Sequence, residues 1–202
     1  MNITKCCTIT RMKTKLIAAF GNDKLEHKEN IVYPQIYVVD YTRRTNSARS
    51  VEICNTPFPD IDALLIENPN LDISAAFFKP QCFQDIHGKE PDNCEGVFYL
   101  TNSTEESWVL FLEIKDCAVV NISRYFEKAK EQIITTVQIF RNKKIIAANK
   151  RVYANISFPR RNKTDFFHKL IKHSEIKEFV DKYNISIKGT NKLKIESTTR
   201  IC

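Results

Sequence analysis

Two runs of the chain alternate as strands do, EGVFYL at 95–100 and WVLFLEIKD at 108–116, with the polar segment TNSTEES at 101–107 between them. Together they predict an antiparallel hairpin. Beyond it, Phe126, Ala129, Ile133, Val137 and Phe140 recur every three or four residues and predict a helix over 124–141, capped by Ser123 or Asn121. KKIIAANKRVYANISF (143–158) predicts a further strand, best defined from Arg151 to Phe158 and ended by Pro159. A second apolar stripe, Phe166, Phe167, Leu170, Ile171, Ile176, Phe179 and Val180, predicts a helix from Thr164 to Tyr183. ISIKGTNKLKIES then closes the chain as a short hairpin around Gly189. Upstream, IVYPQIYVVDY (31–41) reads as a strand with SVEICN (50–55) as its partner, and Asp60 is placed to cap a helix over IDALLIEN that NPN stops. Residues 71–86 favour no single period, although Phe77 and Phe78 read as core; HGKEPDNC (87–94) reads as a loop. Antiparallel strands followed by helix, strand and helix define a mixed α/β (α+β) class, and 202 residues fit one domain.

The second hairpin strand interrupts its own pattern. In VLFLEIKDC (109–117), Glu113 and Lys115 break an apolar run. A strand places them on one face with Val109 and Phe111, and Trp108, Leu110, Leu112 and Ile114 on the other. Both faces are apolar up to Leu112, which predicts a central strand. An uncompensated charge is costly there. The pair therefore implies mutual pairing, a metal site, or the mouth of a cleft. A carboxylate and a lysine at the end of a central strand are parts that metal-dependent phosphodiester hydrolysis uses. The carboxylate holds Mg²⁺, which polarises the phosphate and lowers the pKa of a water; the lysine positions that water and balances charge in the transition state.

On these residues the chain resembles the PD-(D/E)xK nuclease superfamily. Glu113-Ile114-Lys115 matches its E-x-K element, and the order strand, strand with E-x-K, helix, strand matches over about residues 90–158. The resemblance implies a restriction-endonuclease-like mixed central sheet flanked by helices. This core would carry N-terminal strands and a helix before it and a basic helix–hairpin extension after it. It also implies a Mg²⁺ or Mn²⁺ cofactor and a nucleic-acid substrate, DNA first. A second acidic ligand is implied near the first hairpin strand, and two residues qualify: Asp92, in Pro91-Asp92, and Glu95, which register prefers. Gln132, in AKEQIITT, matches a glutamine that many members carry in the next helix, with Lys128 and Lys130 beside it as candidate phosphate contacts. Glu67, ending the predicted early helix, is in the place of a carboxylate that some relatives contribute. The tripeptide recurs as Glu26-His27-Lys28, in a polar stretch, and as Glu175-Ile176-Lys177, in a predicted helix where i and i+2 do not share a face.

Charge sharpens this picture. Before Ala118 there are 12 Lys and Arg against 17 Asp and Glu; from Ala118 onward there are 19 against 7, so parts of −5 and +12 make up the net +7. A basic part beside a more acidic one suits a polyanion partner. Lys143, Lys144, Lys150, Arg151, Arg160, Arg161 and Lys163 are the expected phosphate contacts. The same features fit a non-catalytic module on this fold that binds nucleic acid, a protein partner or a second copy of itself. The seven cysteines have no regular spacing and no secretion signal precedes them, so a cytoplasmic protein without a disulfide framework is expected. Cys82, His87 and Cys94 match no common zinc spacing, and the cysteines read as small buried hydrophobes. No apolar run approaches the roughly 18 residues of a membrane span. No Gly-rich phosphate loop or Gly-x-Ser-x-Gly elbow points to a nucleoside-triphosphate enzyme or an ester hydrolase. His168 and His173, beside Lys169 and Lys172, read as helix surface.

Overall fold

The computed structural model of the protein describes residues 12–41, 51–59, 61–115, 121–159 and 172–202. Among them are three helices, α1 (Met12–Phe20), α2 (Ile122–Asn142) and α3 (His173–Tyr183), and ten strands. The strands are β1 (Leu25–Ile31), β2 (Gln35–Asp40), β3 (Val51–Cys54), β4 (Leu64–Glu67), β5 (Ile73–Phe78), β6 (Gly96–Leu100), β7 (Val109–Ile114), β8 (Val152–Ser157), β9 (Ile185–Gly189) and β10 (Lys192–Lys194). Six strands form a mixed sheet in the order β1-β5-β6-β7-β8-β9, and four form a second sheet in the order β10-β4-β2-β3.

The predicted hairpin is β6–β7, antiparallel, with Gly96 opposite Leu112 and Tyr99 opposite Val109. β8 pairs parallel to β7, and β9 parallel to β8. β7 is therefore central, as its two apolar faces require. Val109 and Phe111 face one core with α1 and α2, while Leu110, Leu112 and Ile114 face a second core against the four-stranded sheet. The class is mixed, as the element order predicts, and among the described residues the helices pack on one face of the six-stranded sheet. The four-stranded sheet packs on the other.

Several elements differ from the sequence pattern. IDALLIEN is not a helix: its middle is β4, with Leu64 and Ile66 buried, antiparallel to β2 and parallel to β10. A short apolar run carries both the helical and the strand period, and partners on either side decide. Asp60, its expected cap, lies outside the described residues. The run at 71–86 contains β5, buried at every position. The closing hairpin does not form. β9 and β10 belong to different sheets, and the link between them is pinned by Asn191, whose Oδ1 accepts from Phe158 N and from the Ser157 hydroxyl at 2.8 Å each. α2 matches the expected helix and begins after Asn121, which makes no side-chain cap bond. Of the expected helix over 164–183, the described part is α3; Phe166, Phe167, His168, Lys169, Leu170 and Ile171 lie outside the described residues. α1, unpredicted, rests on Met12, Leu16 and Phe20, spaced four apart and buried.

Candidate active site

β7 carries Glu113 to the end of the central sheet, on the face of Val109 and Phe111. The next residue on that face is Lys115, whose backbone N–H donates to Ser157 O at 2.9 Å and so extends the pairing with β8. Glu113 is fully buried, and its Oε2 accepts from the Glu95 backbone N–H at 2.8 Å. The Lys115 ammonium is ion-paired with Glu113 Oε1 and lies 3.9 Å from Glu95 Oε1. Glu95 is 5% exposed and also lines a pocket of about 260 Å³ with Glu26, Lys79 and Phe78. Two buried carboxylates and one ammonium thus meet at one strand end. The ammonium is the exposed member, at 21%.

Strand register settles which acid accompanies Glu113. Glu95 N donates to Leu112 O at 3.0 Å, which fixes residue 95 beside the end of β7. Gly96 permits the close approach. A Cβ there would lie 2.6 Å from the Phe77 ring and 2.8 Å from Ala76 O. Asp92 is not part of this group; its side chain is two-thirds exposed and paired with Lys128 at 3.5 Å. A surface loop residue keeps its hydration, whereas residue 95 is already in the sheet.

α2 holds the approach to Glu95. Gln132 is buried, and its Nε2 donates to Asn93 O at 2.7 Å; Gln132 Oε1 has no hydrogen-bond partner among the described residues. One turn on, the Thr136 hydroxyl accepts from Cys94 N at 3.0 Å and donates to Gln132 O at 2.8 Å. Gln132 therefore acts on the backbone that presents Glu95. Thr136 and Asn93 are missing from the sequence reading. Thr136 stands four residues after Gln132 on the buried face, and that spacing was the available signal.

The remaining candidates lie elsewhere. Lys130 is buried and ion-paired with Glu127 at 2.7 Å and Glu175 at 3.0 Å. Burial opposes its charge, but the hydrogen bonds to the two carboxylates prevail and hold its pKa above the usual lysine value. It joins α2 to α3 and does not reach out for phosphate. Glu67 is in β4, paired with Lys192 at 2.7 Å. Glu26 pairs with Lys28 at 2.9 Å on the edge strand β1. Lys150 donates to the carbonyls of Glu105 and Ser107 at 2.5 and 2.6 Å, and burial pushes its pKa down. Arg151 reaches Asn184 Oδ1 at 3.4 Å. These two residues precede β8, and Ile156 is the residue opposite Glu113. At about 3.3 Å per residue they stand roughly 20 Å from the acidic end. Composition reported their charge, but not which end of the strand they occupy. Lys143 lies 5.4 Å above the Phe20 ring, and Lys144 is an exposed residue just past α2. Arg160, Arg161 and Lys163 lie outside the described residues. Cys82 and Cys94 are buried, as small hydrophobes would be.

The donor set fits a hard divalent cation. Mg²⁺ takes one or two carboxylates and keeps water or phosphate oxygens in its other positions, and Glu113 with Glu95 supplies two. Among the described residues, no group of three or more His, Cys, Asp or Glu side chains is gathered for a metal ion. No described helix is long and apolar enough to cross a membrane. No protein-family model, curated protein or solved structure matches the chain.

Proposed function

We propose that the protein is a metal-dependent nuclease-like phosphodiesterase acting on nucleic acid, DNA first, in the reducing cytoplasm. One observation carries the reading: Glu113, Glu95 and Lys115 converge at the end of a central strand, with both carboxylates buried. Glu113 and Glu95 would hold Mg²⁺ or Mn²⁺, which when bound supplies Lewis-acid polarisation of a phosphate oxygen and a more acidic water. Lys115 is the group facing solvent. Its ammonium can orient an attacking water and offset charge gathering on the phosphate oxygens. Gln132 and Thr136 fix residues 93 and 94, so the Glu95 carboxylate stays aimed at Lys115.

The test is cleavage of DNA and RNA by the purified protein with Mg²⁺, Mn²⁺ or chelator. Glu113→Gln and Lys115→Met are each expected to reduce cleavage by about a hundredfold or more. Cleavage that survives both substitutions rejects these roles.

A second reading has its own observation. The Lys115 ammonium already pairs with Glu113 and approaches Glu95, which offsets the carboxylates without a metal. On this reading the fold is a non-catalytic module for nucleic acid or protein. Binding without cleavage, unaffected by chelator and by Glu113→Gln, would favour it.

A further inference from the structure

A second cavity, about 420 Å³, lies between the end of α1, the segment 79–91 and the end of α2. Lys24, Lys89 and Lys143 all line it. The Lys24 and Lys89 side chains have no hydrogen-bond or ion-pair partner among the described residues. Lys143 is held above the Phe20 ring at 5.4 Å and reaches Ala19 O at 3.4 Å. The acids of the segment are engaged by backbone amides. Asp85 Oδ1 accepts from His87 N and Lys89 N at 2.9 Å each, and Glu90 accepts from Gln81 N and Phe83 N at 2.9 and 3.4 Å. Three lysines therefore line a pocket with two aromatic residues and one acidic residue, Asp85. Such a cavity selects an anion.

The cavity is coupled to the acidic site. Its floor rings, Phe20 and Phe83, meet edge to face with centroids 4.9 Å apart, and Phe83 meets Phe78 edge to face at 4.8 Å. Phe78 N donates to Glu95 O at 3.2 Å, and the segment that carries Lys89 runs directly into Glu95.

We infer that this cavity holds a backbone phosphate of a nucleic-acid strand, flanking the one at Glu113 and Lys115, with Lys24 and Lys89 as its contacts. The inference rests on the nuclease reading for its substrate and extends it to a second subsite. Each lysine that neutralises a phosphate releases condensed counterions, so affinity falls with salt at a slope set by the number of contacts.

The experiment measures binding of the full chain to a fluorescein-labelled duplex oligonucleotide by anisotropy, in chelator so that nothing is cleaved, across a salt series. Lys24→Gln/Lys89→Gln is expected to lose roughly tenfold in affinity and to flatten the log–log salt slope by about one to two. Lys24→Arg/Lys89→Arg is expected to keep both, and Lys194→Gln, at an exposed position of β10 outside the cavity, to leave both near wild type. An unchanged slope in the Gln pair, or no oligonucleotide binding by the wild type, overturns the inference. A free phosphate ester has the same chemistry. Displacement of the oligonucleotide by excess mononucleotide at fixed ionic strength, from wild type but not from the Gln pair, would assign the cavity to a small ligand and overturn the strand assignment. Glu113→Gln separates the two proposals. If it binds normally and cleavage persists, the active-site reading fails while the subsite stands.

Discussion

Among the described residues are two triads of one lysine and two glutamates, and they are built in opposite ways. In the first, Glu113 and Glu95 are buried and Lys115 is the exposed member. In the second, Lys130 is buried at 8% side-chain exposure, and its partners Glu127 and Glu175 stand 63% and 33% exposed. Charge and composition are the same; the desolvated partner differs. A buried cation with wet carboxylates is a strut, because the acids keep their water. Buried carboxylates with a wet cation make a site whose anions must be matched from solvent, by the lysine or by a metal. The second arrangement joins α2 to α3. The first is the one suited to chemistry.

This contrast can be broken by exchanging each lysine for methionine, which keeps the apolar stem. Lys115→Met leaves two buried carboxylates without their ammonium and is expected to cost about 3–5 kcal/mol in urea unfolding. Lys130→Met leaves solvated carboxylates and is expected to cost about 1 kcal/mol. Equal costs would dissolve the distinction. Added Mg²⁺ is expected to raise the stability of the first variant and leave that of the second unchanged.

A double-mutant cycle sharpens the comparison. Glu113→Gln removes the buried charge that Lys115 offsets, so Lys115→Met/Glu113→Gln is expected to recover about 2 kcal/mol relative to additivity. Additive costs would mean that the pair is not coupled. Gln132→Leu removes the bond to Asn93 O and leaves that carbonyl unsatisfied, at about 1–2 kcal/mol in the same measurement.

The smallest effect is in pH. The Glu175 carboxyl is held below its usual value, first by the Lys172 backbone N–H and then by Lys130. Its contribution is complete above the unfolded value of about 4.3 and is lost as pH falls through the lower folded one. Lys130, raised, contributes fully below about 10.4 and loses its share as pH rises through its folded value. The strut is therefore steady between these limits. Glu175→Gln is expected to flatten the acid limb of a stability–pH curve by no more than about 0.5 kcal/mol, after solvent screening. A larger change would show that the helix contact is less solvated than its exposure indicates.

Much of the site was legible because it is local. The alternation in VLFLEIKDC puts Glu113 and Lys115 on one face whatever the partner strands do, and the stripe from Phe126 to Phe140 defines α2 with no knowledge of what it covers. β1, LEHKENI, gave no signal, since an edge strand with five polar residues in its middle lacks the apolar pattern that marks a sheet. β4 was misread because four residues hold too little of either period. Lys130 and Lys128 were indistinguishable in sequence, yet one is buried between helices and the other is half exposed.

The amino-acid order alone determined that an acid and a base leave one central strand side by side, since a two-residue period needs only the backbone. Tertiary structure decided the rest: that Glu95 rather than Asp92 joins them, that Lys150 and Arg151 lie at the far end of the sheet, that a second sheet covers one face, and that Lys24, Lys89 and Lys143 share a cavity. Each of these depends on register or packing between segments distant in the chain, where a shift of one residue turns a side chain to the other face.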